Sequence, residues 1–236
     1  MDLVEISDEL TESLNGLSFD DPVTHVYRPL VYARALHTAY LERFGQTTPR
    51  EAVLVGMNPG PWGMGQTGVP FGDVDFVRDW MGLEAEVGHP DNEHPKRPVE
   101  GLDCERNEVS GSRLWGWTEE RFGSADDFFE RFYVHNYCPL LFLEESGRNR
   151  PPSRMKVAQR RKLTPACDHA LRQIVDYLDP DYVLGIGNYA RDRIKRVYDE
   201  QEVDFEIGVV LHPSPASPKA NQGWAALMDD ALATAG

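Results

Sequence analysis

The sequence predicts an α/β fold with a central parallel sheet. Four short apolar segments have the length and composition of buried strands, at residues 52–57, 132–135, 182–186 and 205–211. Segments with helical patterning separate these strands, so the chain must cross over between them, as it does in a parallel sheet. The chain has 236 residues, which suffice for one α/β domain with a full hydrophobic core. We therefore expect a single domain over residues 1–236.

The segments before the first strand have the weakest patterning. Residues 1–25 form a poorly patterned acidic lead-in. Residues 27–44 space their apolar side chains as an amphipathic helix does. Those apolar side chains are Leu30, Val31, Ala35, Tyr40 and Leu41.

Beyond the first strand, helices alternate with strands to the end of the chain. The predicted helices span residues 73–81, 113–121, 124–130, 164–178, 188–198 and 221–232. Asp73 is the expected N-cap of the first of these helices. We expect the fourth of these helices to start with Thr164 as its N-cap and Pro165 at its first helical position.

Composition and charge restrict the class of protein. The 24 basic and 39 acidic side chains give a net charge of −15, which by itself disfavours nucleic acid as a partner. Basic clusters at residues 94–97, 148–150, 154–162 and 191–196 can offset this charge locally. No apolar run approaches the roughly 18 residues of a membrane span, and the acidic N-terminal segment is unlike a signal peptide. We expect an intracellular protein without membrane attachment, cytoplasmic in a prokaryote or nuclear in a eukaryote.

The three cysteines give no sign of a metal site. Cys104, Cys138 and Cys167 are far apart in the sequence and form no CxxC pair. This spacing argues against a structural zinc site, a disulfide framework and a four-cysteine iron–sulfur cluster. We therefore expect neither a metal nor a cofactor.

The most distinctive segment follows the first strand and reads GMNPGPWGMGQTGVPFG, residues 56–72. Its first prolines and glycines end the strand and prevent a regular helix. The remainder holds four more glycines and two aromatic residues, Trp62 and Phe71, but little aliphatic content. Backbone without side chains can approach a ligand closely, and an aromatic face can stack on a flat one. The alternative interpretation is a long surface loop.

Polar residues follow three of the predicted strands where each strand ends. Asn58 follows the first strand, Asn136 the second and His212 the fourth. Ligands of open parallel sheets bind at the carboxyl ends of the strands, so these three side chains are expected to meet beside the glycine-rich segment. Each residue alone has an ordinary structural explanation, as a turn residue or a structural histidine.

The chemistry of these three side chains favours one class of reaction. An asparagine amide can orient a water molecule, and a histidine can donate to an oxygen that gains negative charge. A second asparagine matches the donor–acceptor edge of uracil, and an aromatic ring can stack on that base. The set suits hydrolysis of a nucleoside bond, in which the sugar carbon becomes cationic and the base leaves as an anion.

Four segments resemble the single-strand-selective monofunctional uracil-DNA glycosylase family. They are the segment at residues 56–72 together with EHPKRPVEGLDCERNEVSGSRLWGW, FYVHNYCPLLFLEESGRN and VLHPSPASPKANQGW. The resemblance covers most of residues 27–225, in the family's order. It implies a three-layer α/β/α sandwich with a four-stranded parallel sheet. It also implies excision of uracil from DNA in base excision repair, without cofactor or metal, by a monomer acting on single-stranded or double-stranded DNA.

The resemblance assigns roles to four residues around the base. Asn58 would position the attacking water, and His212 would stabilise the charge that develops on uracil O2. Phe71 would stack on the flipped base, and Asn136 would bind its N3–H and O4 edge.

The same resemblance assigns three residues to the pocket wall. Met57 flanks Asn58, and Met64 lines the wall. Gly60 stands where related thymine-excluding enzymes carry a bulky ring, so a C5 substituent such as hydroxymethyl should be tolerated.

The segment after the fourth strand resembles the loop with which the family fills the gap left by a flipped base. Its predicted DNA-binding residues are Pro213, Ser214, Pro215, Ala216 and Lys219. The family has an arginine where this chain has Ala216, so we expect weaker action on paired DNA, or participation of Lys219.

Two other functions fit parts of the sequence. Residues 185–190 fit the pattern GxGxxA between a strand and a helix, which is a weak indication of a dinucleotide site. The other possibility is a DNA-binding module that has kept the fold and lost catalysis, although the presence of both Asn58 and His212 argues against it.

Overall fold

The computed structural model describes residues 1–199 and 201–234, with the side chain of residue 234 left out. The strands are β1 (His25–Tyr27), β2 (Arg50–Gly56), β3 (Phe132–Asn136), β4 (Leu141–Leu143), β5 (Pro180–Ile186) and β6 (Glu206–Val210). The α-helices are α1 (Leu3–Ser13), α2 (Pro29–Tyr32), α3 (Arg34–Phe44), α4 (Met64–Thr67), α5 (Val109–Phe122), α6 (Ala125–Arg131), α7 (Val157–Leu178), α8 (Asn188–Val197) and α9 (Trp224–Thr234).

A four-stranded parallel sheet in the order β3-β2-β5-β6 forms the centre, as the sequence predicted. In β2 the side chains from Ala52 to Val55 are almost completely buried. Helices α7 and α8, and helices α6 and α9, pack against the sheet. Outside them, α1 packs on α7, and α5 packs on α6 and α9. The arrangement is the expected α/β/α sandwich.

The register of the sheet sets the position of the site. Gly56 at the end of β2 pairs with Asn136 at the end of β3, and Ile186 pairs with Val210 at the end of β6. The carboxyl ends of these strands therefore lie along one edge. The segments that follow β2, β3 and β6 leave the sheet at this edge.

The poorly patterned lead-in at residues 1–25 contains a helix, α1, over 11 of its residues. Helix α1 begins behind Asp2, whose side chain accepts from the backbone N–H of Glu5, while Glu5 caps Asp2 in return. Leu3, Ile6 and Leu10 are buried, and α1 packs against α7. Their spacing of three and four residues is helical, but the acidic residues between them conceal it.

The helix expected over residues 27–44 is divided. β1 pairs antiparallel with β4 in a small two-stranded sheet that we did not predict, and Pro29 then starts the short α2. The apolar positions were also partly misassigned. Val31 is 54% exposed and Ala35 is exposed, whereas Leu36 and Phe44 are buried.

The expected start of a helix at Thr164 is wrong, because α7 begins at Val157. Thr164 and Pro165 lie inside this helix, and the Thr164 hydroxyl donates to the carbonyl of Arg160 at 2.9 Å. Leu163 and Cys167 are buried on either side of the proline. Tertiary packing thus maintains the helix through a residue pair that is typical of a helix start.

The helix expected over residues 73–81 is present over residues 74–80, and its last part, Phe76–Trp80, is π-helical. Asp73 precedes it as expected, and its carboxylate accepts from the backbone N–H of Phe76. The carboxylate of Asp73 accepts from the N–H of Glu108 at 2.7 Å and from the hydroxyl of Ser112 at 3.2 Å. Asp73 therefore connects the end of the glycine-rich segment to the start of α5. The other predicted helices and strands differ from the observed ones mainly in their ends. Among the described residues, no helix has the length and apolar character needed to cross a membrane.

Candidate active site

A cavity of about 500 Å³ opens at the carboxyl edge of the sheet. This volume lies within the roughly 300–1,000 Å³ of small-molecule sites. All seven residues predicted for catalysis or base binding line it: Met57, Asn58, Gly60, Met64, Phe71, Asn136 and His212. The structure therefore places the three polar strand-end residues in one cavity.

Asn58 lies in the segment after β2, which is bound to the segment after β3. The N–H groups of Tyr137 and Cys138 donate to the carbonyls of Gly56 and Met57 at 2.9 and 3.0 Å. The Asn58 amide Nδ2 donates to the carbonyls of Pro59 and Leu140, each at 3.3 Å. These bonds fix the amide plane, and Oδ1 is the atom that can accept a hydrogen bond from water.

Phe71 is held in a conformation that is unusual for a side chain of its size. Its φ angle is +53°, in the left-handed region, and its carbonyl accepts from the Trp115 indole N–H at 2.9 Å. A Cβ atom on Gly111 would lie 2.1 Å from that carbonyl, and one on Gly56 would lie 2.5 Å from the ring. The two glycines therefore leave the room that the ring and its backbone occupy. Such strain at a cavity wall is typical of a functional position.

Asn136 has a buried acceptor without a partner. Its side chain is at the end of β3, and its Nδ2 donates to the sulfur of Met64 at 3.2 Å. Its Oδ1 is buried and makes no hydrogen bond. Because a buried carbonyl oxygen without a donor costs about 1–3 kcal/mol, this atom is a strong candidate for a ligand N–H.

His212 lies beyond β6, with its ring centroid 6.0 Å from that of Phe71. Burial lowers the pKa of the imidazole to about 4, so the ring is neutral at pH 7. Its Nδ1 is buried without a hydrogen-bond partner. A neutral imidazole offers one N–H donor, which is the function required beside an oxygen that becomes negative.

Glu108 also lines the cavity, and the sequence analysis missed it. Its side chain caps α5 by accepting from the N–H of Ser110 at 3.3 Å. A Cβ atom on Gly60 would lie 2.3 Å from its Oε2, so the carboxyl group occupies the space beside this glycine. Burial raises the pKa of Glu108, with a smaller contribution from the nearby charge of Asp73. The carboxyl at a helix start could have been suspected from the N-cap pattern, but its contact with Gly60 could not.

Asn149 is a second missed residue of the cavity. Its Nδ2 donates to the carbonyl of Pro59 at 3.2 Å, and its Oδ1 is buried without a partner. The cavity wall continues through Ser153 and Arg154. These residues lie in a proline-rich segment whose path no local pattern predicts.

The segment after His212 divides into two parts. Ser214 and Pro215 line the cavity, whereas Ala216 and Lys219 are exposed and do not line it. Arg113 of α5 donates to the carbonyl of Pro213 at 3.0 Å. The predicted DNA-binding residues are therefore contiguous with the cavity, and an arginine that we did not predict fixes their first member.

The glycines of the GxGxxA pattern have a packing explanation. A Cβ atom on Gly185 would lie 2.3 Å from the backbone nitrogen of Arg191, so this glycine lets α8 approach β5. Gly187 has a φ angle of +92°, which favours glycine. The pattern thus needs no dinucleotide to account for it. Within the described ranges, no group of three or more histidine, cysteine or acidic residues is placed to hold a metal ion.

Comparisons with known proteins agree with this geometry. The family model for the uracil DNA glycosylase superfamily matches residues 43–233. The chain is 45% identical over 223 residues to the single-strand selective monofunctional uracil DNA glycosylase of Bos taurus, covering 94% of this chain and 82% of the relative. It is 46% identical over 215 residues to the corresponding Rattus norvegicus protein, covering 91% and 77%.

A solved structure shares the fold. The crystal structure of wild-type SMUG2 from Pedobacter heparinus matches with a TM-score of 0.67 at 17% sequence identity, over 97% of this chain and 96% of that chain. The family model and the identity to the mammalian proteins together establish membership: this chain belongs to the uracil DNA glycosylase superfamily, and within it to the single-strand selective monofunctional uracil-DNA glycosylases.

Proposed function

We propose that the protein excises uracil from DNA by hydrolysing the N-glycosidic bond, which leaves an abasic site for base excision repair. The observation that carries this proposal is the single cavity in which Asn58, Asn136 and His212 meet beside Phe71. Two of these side chains have buried polar atoms without a partner, Oδ1 of Asn136 and Nδ1 of His212. A flipped pyrimidine supplies the donors and acceptors that such atoms lack.

In the proposed reaction, a water oxygen bonds to C1′ of the sugar while the C1′–N1 bond breaks, and the bonding electron pair leaves with uracil. One proton of the water stays on the new sugar hydroxyl and the other is released, which balances the charge of the uracil anion. Asn58 orients this water through Oδ1. Because the sugar carbon develops positive charge, positioning the water is more important than deprotonating it, and a neutral amide can serve.

His212 and Asn136 act on the base. The neutral imidazole donates to O2 as that oxygen gains charge, without a proton having to be taken up first. Asn136 Oδ1 accepts the N3–H, while Phe71 stacks on the ring. Thymine and 5-hydroxymethyluracil both carry a substituent at C5, which faces the wall formed by Met64, Gly60 and Glu108. The hydroxyl of a hydroxymethyl group can donate to the Glu108 carboxyl, whereas the methyl group of thymine would bury that carboxyl without a partner. We therefore expect 5-hydroxymethyluracil to be accepted and thymine to be rejected.

The alternative function is that of a DNA-binding module which has the same fold but does not catalyse excision. The preorganised amide of Asn58 and the neutral His212 favour an enzyme, since neither arrangement is needed to bind a strand. We also propose that the protein acts as a monomer on single-stranded DNA, double-stranded DNA or both, more weakly on paired DNA, with water as the only co-reactant.

Incubation with a labelled oligonucleotide that carries one uracil, followed by alkali and electrophoresis, tests the activity. We expect alkali-dependent cleavage at the uracil, no cleavage of the matched thymine strand and no borohydride-trapped adduct. Binding without cleavage would favour the inactive module. Cleavage without alkali, or a trapped adduct, would contradict a monofunctional hydrolase.

A further inference from the structure

The net charge of −15 raises the question of which surface can hold a DNA strand. Of the nineteen arginines, eight are neutralised by carboxylates in the part of the chain that the structure describes. Those in ion pairs are Arg34, Arg43, Arg78, Arg121, Arg131, Arg150, Arg191 and Arg193. Arg97 and Arg106 are among the arginines outside this group, because neither has a carboxylate within 4.0 Å among the residues that the structure describes.

These two arginines meet at one aromatic ring. The guanidinium carbons of Arg97 and Arg106 lie over Trp62, 5.2 and 4.4 Å from its ring centroid. The attraction of a guanidinium to an aromatic face holds the cation in place and leaves most of its N–H donors free. Arg97 uses one donor for the carbonyl of Lys96, and its Nε is buried without a partner.

The backbone beneath this cluster is fixed by buried side chains. The hydroxyl of Tyr27 donates to the carbonyl of Arg97 at 2.6 Å. The amide of Gln66, which is fully buried, donates to the carbonyls of Pro61 and Pro98, both at 2.9 Å. Gln66 thus connects the residue before Trp62 to the residue after Arg97. Two segments that are far apart in the sequence are held in one fixed relation.

The cluster adjoins the active-site cavity. Pro61, the residue before Trp62, lines that cavity, as does Glu108, two residues after Arg106. The segment after His212 offers Ala216 at the position where the family carries an arginine, so it supplies no guanidinium there. Arg97 and Arg106 place two positive charges beside the same cavity.

We propose that Arg97, Trp62 and Arg106 bind the phosphate backbone of the DNA strand next to the flipped nucleotide. The proposal rests on the proposed uracil excision for the position of the flipped base. Guanidinium groups are suited to phosphate because their N–H donors match its oxygens in pairs. The surface is sequence-independent, because it contacts phosphates and not base edges.

Two substitutions test the proposal, Arg106→Gln and Arg97→Gln, with Arg196→Gln as the matched control. Arg196 is an exposed arginine without an ion pair in the described part, near the end of α8 and away from the cavity. We measure kcat and KM on a single-stranded uracil oligonucleotide. We also measure binding of the same strand with thymine in place of uracil, by fluorescence anisotropy at several salt concentrations.

We expect each of the two substitutions to raise KM and the dissociation constant about fivefold at 0.1 M salt and to leave kcat unchanged. The slope of log affinity against log salt should become shallower by about 0.7, which is the contribution of one phosphate contact on a single strand. The Arg196→Gln variant should match the unmodified protein in both measurements.

Unchanged KM and salt slope in Arg106→Gln would overturn the proposal. Arg97 is partly buried, so Arg97→Gln could lower the melting temperature. In that case the result for Arg106→Gln alone decides the test. A loss of kcat at constant KM in Arg106→Gln would also contradict it. If the unmodified protein never cleaves the uracil strand, while Arg106→Gln still weakens binding of the thymine strand and makes its salt slope shallower, uracil excision fails and the phosphate surface stands.

Discussion

Two of the segments that border the cavity differ in how they are held in the fold. The glycine-rich segment after β2 is buried at every position from residue 63 to 74, and Trp115, Gln66 and Asp73 hold it in place. The segment after β6 exposes Pro215, Ala216 and Lys219 and makes most of its hydrogen bonds within itself. His212 lies at the start of the segment after β6, but its Nδ1 is buried, so we group it with the glycine-rich wall as the rigid side. We therefore expect the chemistry to depend on this rigid side, and contact with the strand to depend on the accessible residues 214–219, the exposed side.

This difference separates two kinds of contribution to activity. Changes on the rigid side should alter the chemical step or the choice of base, because those atoms are fixed relative to the substrate. Changes on the exposed side should alter how the strand is held. The predictions below test this division, beginning with the largest expected effect.

Removal of the His212 imidazole should have the largest effect of the four. His212→Ala should lower the single-turnover excision rate by about 10²–10³, the usual effect of losing one preorganised donor. Substitution of the exposed His89 by alanine provides the control and should leave the rate unchanged. An undiminished rate in His212→Ala would refute the role given to the imidazole.

Gly60→Tyr should change the choice of base. The new side chain must enter the space beside Gly60 that the carboxyl of Glu108 occupies. We expect action on 5-hydroxymethyluracil to fall at least about tenfold more than action on uracil, since a bulky group can discriminate by about 1–3 kcal/mol. The comparison is made from kcat/KM on matched strands.

The variant Gly60→Tyr/Glu108→Ala controls for displacement of the carboxyl group. It should regain activity on uracil while still rejecting the 5-substituted base. Equal loss of activity on both bases in both variants would contradict the proposed pocket wall.

On the exposed side, Ala216→Arg should strengthen action on paired DNA. One additional phosphate contact on a duplex corresponds to about five- to tenfold in affinity at 0.1 M salt. KM on the duplex should fall, and the single-turnover rate on single-stranded DNA should be nearly unchanged. Ala216→Gln tests whether length without charge suffices, and an equal gain in this variant would show that the charge is not responsible.

Acid should destabilise the folded protein in part through His37, a buried residue that contacts the glycine-rich segment. His37 contacts the carbonyl of Gly68 through Nδ1 at 2.8 Å and the hydroxyl of Ser7 through Nε2 at 3.0 Å. Burial lowers its pKa from 6.5 to about 4, so between these values the unfolded chain binds the proton and the folded protein does not. The free energy of unfolding should therefore be undiminished above pH 6.5 and decrease as the pH falls toward 4.

Urea unfolding at pH 7.5 and at pH 4.5 measures this effect. We expect His37→Gln to show a smaller decrease between the two pH values than the unmodified protein, because glutamine does not titrate. An identical decrease in both proteins would mean that His37 does not contribute to the acid sensitivity.

The sequence predicted the sheet and the catalytic side of the cavity because both depend on local signals. A buried strand is recognisable in the sequence as an apolar run, and the carboxyl ends of parallel strands lie at one edge of the sheet. The sequence alone therefore predicted that Asn58, Asn136 and His212 lie close together. The start of α7 was misplaced because Thr164 and Pro165 resemble a helix start, while buried packing continues the helix through them.

The missed cavity residues depend on contacts between distant segments. Glu108 lies beside Gly60 because the hydrogen bond from its N–H to the Asp73 carboxylate holds the start of α5 against the glycine-rich segment. Asn149 contacts Pro59 from a position that is paired with Leu143 by an antiparallel bridge, and no periodicity in the sequence indicates this pairing. Such contacts are set by the tertiary arrangement, and single-sequence patterns carry no information about them.

The most direct test of the account is a crystal structure of the protein with free uracil. We predict that uracil occupies the cavity, with its ring stacked on Phe71, its N3–H within hydrogen-bond distance of Asn136 Oδ1 and its O2 directed at His212. Uracil bound elsewhere, or bound in the cavity with Asn136 and His212 contacting neither edge of the base, would contradict the account.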